Sequence, residues 1–143
     1  MDANQTAADL TPKRLRQACL ALTGATEDFP FAPDLSVFRI GGKIFALSRL
    51  EGTPLQISLK CAPELAVRLR AAHPAIAPGY HLNKRHWNTV TADDSLPATL
   101  LLELIEDSYD LVAESLTRAR RAELGLAPAP ASPPGATDRP SAP

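Results

Sequence analysis

The sequence predicts an α+β domain: a central antiparallel sheet flanked by an N-terminal and a C-terminal helix, with one more helix inserted before the last strand. Three observations carry this. Helical apolar stripes lie near both ends of the 143-residue chain, at 11–22 and from 95 onward. Between them come three short β-prone runs, at 37–40, 43–47 and 55–60, joined by connections too short for a parallel crossover. A third helical stretch begins at Pro63 and is followed by a last β-prone run, Trp87-Asn88-Thr89-Val90-Thr91.

Thr11-Pro12 is a helix start, with Thr as N-cap and Pro at the first helical position. Leu15, Ala18, Cys19 and Leu22 follow on one helical face, and Gly24 is the expected stop. Residues 25–34 hold two prolines and two phenylalanines, which predicts a short extended segment and a turn. Gly41-Gly42 joins the first two strands as a two-residue hairpin turn, because such turns demand positive φ. Leu55-Gln56-Ile57-Ser58-Leu59-Lys60 alternates apolar with polar and reads as a strand with one buried face. The helix from Pro63 places Leu65, Leu69 and Ala72 at helical spacing and ends at His73-Pro74. Asp93, Asp94 and Ser95 are expected to cap a long helix carrying Leu101, Leu104, Ile105, Ser108, Leu111, Val112 and Ser115 on one face, running to Leu124 with Gly125 as its stop. One domain therefore spans 11–126. Residues 1–10 are expected to be a flexible N-terminus. The Pro- and Ala-rich stretch 127–143 is expected to be a disordered tail, since it has too little apolar area to offset ordering entropy.

Composition narrows the function. Hydrophobic content of 45% and charged content of 22% fit a globular protein, and a net charge of −1 gives no global attraction to nucleic acid or anionic membranes. No apolar run reaches membrane-spanning length and the first residues lack a signal peptide's regions, so a cytoplasmic protein with no membrane partner is expected. Cys19 and Cys61 lack CxxC spacing and read as small hydrophobes rather than as a metal site or disulfide.

Charge is nonetheless uneven. From Leu65 to Ala92 there is no Asp or Glu, while Arg68, Arg70, Lys84, Arg85 and all three His fall there; from Asp93 to Glu114 every charge is acidic. The basic segment contains Pro78-Gly79-Tyr80-His81-Leu82-Asn83-Lys84-Arg85-His86-Trp87-Asn88-Thr89-Val90, with the only Trp and one of the two Tyr. Pro78-Gly79 is expected to open it as a turn, and Trp87 to anchor the following strand half-buried with its neighbours facing solvent. Lys84 and Arg85 are suited to phosphates, Asn83 and Asn88 to base edges or backbone, and Tyr80 and Trp87 to stacking; His81 and His86 add donors at the same edge. A solvated corner whose charges pair loosely with the acidic helix is the simpler account of the same residues.

This run, preceded by Leu59-Lys60-Cys61-Ala62-Pro63, closely resembles the MmcQ/YjbR family of small bacterial proteins. Pro30-Phe31-Ala32-Pro33-Asp34, the stretch from Val37 through Gly41-Gly42 to Leu47, and Ser108-Tyr109-Asp110-Leu111-Val112 extend the resemblance over about residues 11 to 120. Ala32 stands where the family usually has Gly. The resemblance implies a YjbR-like α+β fold with a central antiparallel sheet. It also implies DNA binding, through likeness to a "double wing" domain whose concave sheet lies on DNA. Under it, the DNA-facing residues are Tyr80, His81, Asn83, Lys84, Arg85, His86, Trp87 and Asn88. A protein-interaction or chaperone-like module of α+β fold is the other reading, since a sheet with one open face also suits a peptide or subunit. No catalytic function, cofactor or metal is expected. There is no phosphate loop, nucleophile elbow or HExxH, and His81, Asn83 and His86 lack the spacing and carboxylate of a metal-dependent nuclease.

Overall fold

The computed structural model describes residues 5–79 and 82–126. The helices are α1 (Pro12–Leu20), α2 (Pro63–Ala72), α3 (Ala98–Glu114) and α4 (Arg118–Glu123). The strands are β1 (Thr26–Asp28), β2 (Ser36–Ile40), β3 (Lys43–Ser48), β4 (Gln56–Lys60), β5 (Ile76–Pro78) and β6 (Trp87–Thr91). They form one antiparallel sheet in the order β1-β2-β3-β4-β6-β5. The expected α+β architecture and the β2–β3–β4 meander are both present.

Strand alternation divides the sheet into two faces. On one, Phe38, Ala46, Leu59, Ile57 and Val90 meet Leu101, Ile105 and Val112 of α3, all nearly inaccessible. Phe45 is an extra residue at a bulge where the register shifts between Phe38 and Arg39, and its ring packs edge-on to Tyr109 at 5.5 Å. Ser108, fully buried on α3, donates through Oγ to the Phe45 carbonyl at 2.6 Å and accepts from the Lys60 N–H at 2.8 Å. One hydroxyl therefore joins α3 to two strands, at the bulge where the ladder is interrupted.

Local chemistry explains most boundaries. Thr11 Oγ1 accepts from the Arg14 N–H at 3.0 Å, and Pro12 opens α1. Gly41 and Gly42 have φ of 61° and 84°, the two positive values that the tight β2–β3 turn requires. Cys19 is fully buried on the inner face of α1. Burial, helped by the nearby Glu27 charge, pushes its thiol up to about 12. Cys19 should not react with a water-soluble thiol reagent at pH 8 until the chain unfolds; release at the rate of free cysteine from the native protein would contradict this packing.

Four expectations are corrected. Residues 5–10 are not a flexible arm. Thr6 bridges to Pro97, the Ala7 N–H donates to the Leu96 carbonyl at 2.7 Å, and Ala7 and Leu10 are buried. The two apolar residues supply burial, and Asp9 Oδ2 caps the Thr6 N–H at 2.9 Å. Residues 1–4 and the stretch 127–143 lie outside the described residues.

The long C-terminal helix is two helices. Ser115 Oγ donates to the Val112 carbonyl at 2.6 Å and Thr117 Oγ1 accepts from the Arg120 N–H at 3.0 Å, so two hydroxyls end α3 and start α4. At the other end, Asp93 caps Ser95 in a turn of its own, and α3 begins only after Pro97. Last, Pro78 is not a turn residue but the end of β5, a strand that the sequence reading lacks.

Candidate nucleic-acid interface

The charged run is the connection between β5 and β6, an antiparallel pair in which Ala77 lies opposite Thr89 and Pro78 opposite Asn88. Gly79 continues this ladder, its N–H donating to the Trp87 carbonyl at 2.8 Å. Its φ is not positive; the reason for glycine is space, because a Cβ there would stand 2.7 Å from the Trp87 Cβ. The loop then turns on Asn83. Its carbonyl accepts from the His86 and Trp87 N–H groups at 3.2 and 2.9 Å, and its Oδ1 accepts from the Arg85 N–H at 2.9 Å. Asn83 is therefore a turn-former first, with its amide group left exposed.

Arg70 of α2 holds the loop from behind. Its Nε donates to Asn88 Oδ1 at 2.7 Å, and its Nη2 donates to the carbonyls of Lys84 and Trp87. Among the described residues it has no carboxylate partner, so three oxygen dipoles balance its charge. Arg70 is the residue that sequence reasoning missed: only its place in the acid-free window hinted at it.

The predicted residues are not equivalent. Lys84 and Arg85 are exposed at the tip; Lys84 Nζ reaches the Gly79 carbonyl at 3.3 Å, and the Arg85 guanidinium makes no hydrogen bond or ion pair among the described residues. His86 is half-buried and its carbonyl accepts from the Cys61 N–H at 2.7 Å. Trp87, also half-buried, stands opposite Lys60 on the sheet face away from α3. Asn88 alternates to the other side and is only 3% exposed, so it is a structural partner of Arg70 and not a group available to a base edge. Tyr80 and His81 lie outside the described residues.

Apart from Lys60, opposite Trp87, the floor of the face that carries Trp87 is neutral. Leu47, Ser58 and Thr89 form a cross-strand row at the floor of a groove of about 590 Å³. Phe31, Pro54 and Leu82 are among its walls, and Phe31 is 64% exposed. Arg39 and Arg49 are paired with Asp28 and Asp34. On the helical side, Glu103, Glu106, Asp107, Asp110 and Glu114 are exposed along α3, and none forms an ion pair with Lys84 or Arg85. The loop's positive charge thus has no carboxylate partner among the described residues.

A six-stranded antiparallel sheet backed by helices on one face, with a basic hairpin loop at its edge, defines an α+β domain with one open face. Comparison narrows the class further: the YjbR family model matches residues 20–111, and the chain belongs to this family. It is 34% identical to the uncharacterized protein YjbR of Escherichia coli K12 over 113 residues, which is 78% of this chain and 95% of that protein. With the uncharacterized protein YbdF of Escherichia coli O157:H7 it shares 44% identity over 91 residues, 63% of this chain and 74% of the relative. Among solved structures, Deinococcus radiodurans protein DR2400, with a DUF419 domain, superposes with a TM-score of 0.78 at 46% identity, covering 84% of this chain and 91% of that one. A Pseudomonas syringae protein superposes at 0.59 with 33% identity, covering 70% and 96%. No helix among the described residues is long and apolar enough to cross a membrane.

Proposed function

We propose that this protein is a non-catalytic, cytoplasmic DNA-binding module that meets phosphates with the β5–β6 loop. The observation that carries this is the tip of that loop. Arg85 projects with no intramolecular partner among the described residues and Lys84 stands beside it, on a backbone pinned by Asn83 and Arg70. Exposed cations contribute little to folding. A rigid base under cations that have no carboxylate partner is what a phosphate site needs, because little ordering entropy remains to be lost on binding. Trp87, half-exposed on the adjoining sheet face, offers a ring to the sugar or base beside those phosphates.

Each cation that neutralises a phosphate contributes about one unit to the slope of log affinity against log salt. Replacing Lys84 and Arg85 together with Ala should flatten that slope by roughly 1 to 2 units on a labelled duplex, with circular dichroism unchanged. Equal affinities and equal slopes for the variant and the parent would remove the loop from any DNA site.

The open-face groove favours a second reading, a protein-interaction module. Phe31 exposes 64% of its surface over a groove with apolar walls, a place suited to an apolar segment of a partner. Binding that is insensitive to salt and lost in Phe31→Ala, with no measurable DNA affinity, would make this the better account.

A further inference from the structure

The open face of the sheet carries two aromatic rings that reach solvent. Phe31, in the β1–β2 connection, is 64% exposed and lines the groove whose floor is Leu47, Ser58 and Thr89. Trp87 lies two residues from Thr89 on β6, so alternation puts its ring on the same face. Leu82 joins the two parts. A Cβ on Gly79 would stand 2.7 Å from the Trp87 Cβ and 3.2 Å from the Leu82 Cβ, and Leu82 is a wall of the groove. That wall therefore runs directly into Trp87. The elements that carry the rings, the β1–β2 connection and β6, lie on either side of β3 and β4 in the sheet order.

Cations gather at the Trp87 end. Lys60 stands directly opposite Trp87 on the open face, and Lys84 and Arg85 follow Leu82 at the loop tip. None of the three forms an ion pair among the described residues. No Asp or Glu is among the described residues that line the groove, and its one cation, Arg49, is paired with Asp34. A neutral groove with an exposed ring thus leads to a second ring flanked by three cations. A duplex would satisfy the cations but not the rings. Its bases are paired and stacked on one another, so only backbone and groove edges face a protein. An apolar peptide segment would cover the rings and leave Lys60, Lys84 and Arg85 without an anion.

We propose that the open face binds single-stranded rather than duplex DNA, with bases stacked on Phe31 and Trp87 and phosphates at Lys60, Lys84 and Arg85. The proposal rests on the DNA reading above; it adds the strandedness of the ligand and a second ring, outside the β5–β6 loop, that contacts it. An unpaired strand meets both requirements at once, because its bases are free to turn their faces to a protein while its backbone keeps every phosphate. Stacking uses the π-face that all four bases have, so binding should depend little on sequence.

The test is titration of the full chain with three probes at one salt concentration. They are an oligothymidylate of about 15 nucleotides, within the span of one such site, a duplex of the same length, and an abasic strand that keeps the phosphates and lacks the bases. Trp87 is the only tryptophan, so its emission reports contact at one end of the site. The oligothymidylate should quench it and bind roughly tenfold more tightly than either other probe, the range of one stacked base. Phe31→Ala should weaken the oligothymidylate roughly tenfold without changing its salt slope, whereas Phe31→Tyr, which keeps a ring, should bind as the parent does. Val67→Ala removes a similarly exposed apolar side chain from α2, outside the groove, and should change nothing. A duplex bound as tightly as the single strand, and weakened only by loss of Lys84 and Arg85, would overturn this proposal and leave the DNA reading standing. Equal affinities for the oligothymidylate and the abasic strand would overturn it too, since the bases would then make no contact. No binding of any probe would remove the DNA reading itself, and this proposal with it.

Discussion

Ser108→Ala is expected to destabilise the domain by about 3 kcal/mol, although it removes a single oxygen. The Ser108 hydroxyl is fully buried and serves two backbone groups at once, the Phe45 carbonyl at 2.6 Å and the Lys60 N–H at 2.8 Å. Neither group has an ordinary ladder partner to fall back on: Phe45 is the extra residue of the bulge, and Lys60 is the last residue of β4. Removing the oxygen leaves a donor and an acceptor unsatisfied beneath α3, at about 1–3 kcal/mol for each. Against a total stability of about 5–15 kcal/mol this is a large share, and it should lower the melting temperature by roughly 10 °C. Ser115→Ala is the comparison, because Ser115 is exposed and its hydroxyl serves only the helix end and Lys43. Chemical denaturation of both variants decides the matter. A Ser108→Ala loss no larger than that of Ser115→Ala would show that the bulge carbonyl and the β4 N–H find other partners.

Ser108 also marks where the sequence was legible and where it stopped being so. Its place on the inner stripe of α3 follows from periodicity alone, as do Leu101, Ile105 and Val112. The same local logic placed Thr11 as a cap and Gly41-Gly42 as a tight turn, because those choices depend on two or three adjacent residues. What failed was decided by contacts between distant segments. Residues 5–10 have no periodicity to announce them and are held by Leu96 and Pro97. β5 has three residues and one of them is proline, so only its ladder with β6 makes it a strand.

The site divides in the same way. Lys84 and Arg85 stand out as adjacent cations in an acid-free window, and they are exposed. In β6 the phase of the alternation was the difficulty. Val90 is the only residue of Trp87-Asn88-Thr89-Val90 that is unambiguously inward, and it carries Asn88 inward with it. The larger, apolar Trp87 is then left on the open face. The acid-free window supplied Arg70 with a charge but no role, since its partners lie 14 to 18 residues away in sequence.

Arg70→Met is expected to free the loop without unfolding the domain. Methionine keeps the length and much of the apolar stem of arginine, so what is lost is the guanidinium and its donations to Asn88 Oδ1 and to the carbonyls of Lys84 and Trp87. Hydrogen bonds from a charged donor contribute about 1.5–3 kcal/mol each; Asn88 Oδ1 and the Lys84 carbonyl lose this donor, while the Trp87 carbonyl keeps the Gly79 N–H. The loss is confined to the loop, because the core under α3 and the β2–β3–β4 ladders does not involve Arg70. Local opening should therefore become easier by about 3 kcal/mol while the global transition moves much less. Hydrogen exchange reads this directly. The amides of Gly79 and Cys61, bonded to the Trp87 and His86 carbonyls, should exchange roughly a hundredfold faster in Arg70→Met, while that of Lys60, bonded to Ser108, should hardly change. Arg68→Met supplies the control, since Arg68 is exposed on the same helix and makes none of these bonds. DNA affinity adds a second axis: if Lys84 and Arg85 bind phosphates only when presented on a pinned backbone, Arg70→Met should weaken binding although Arg70 itself touches no ligand, and Arg68→Met should not. Exchange at Gly79 and Cys61 that is the same in both variants would mean that Asn83 and the β5–β6 ladder hold the loop by themselves.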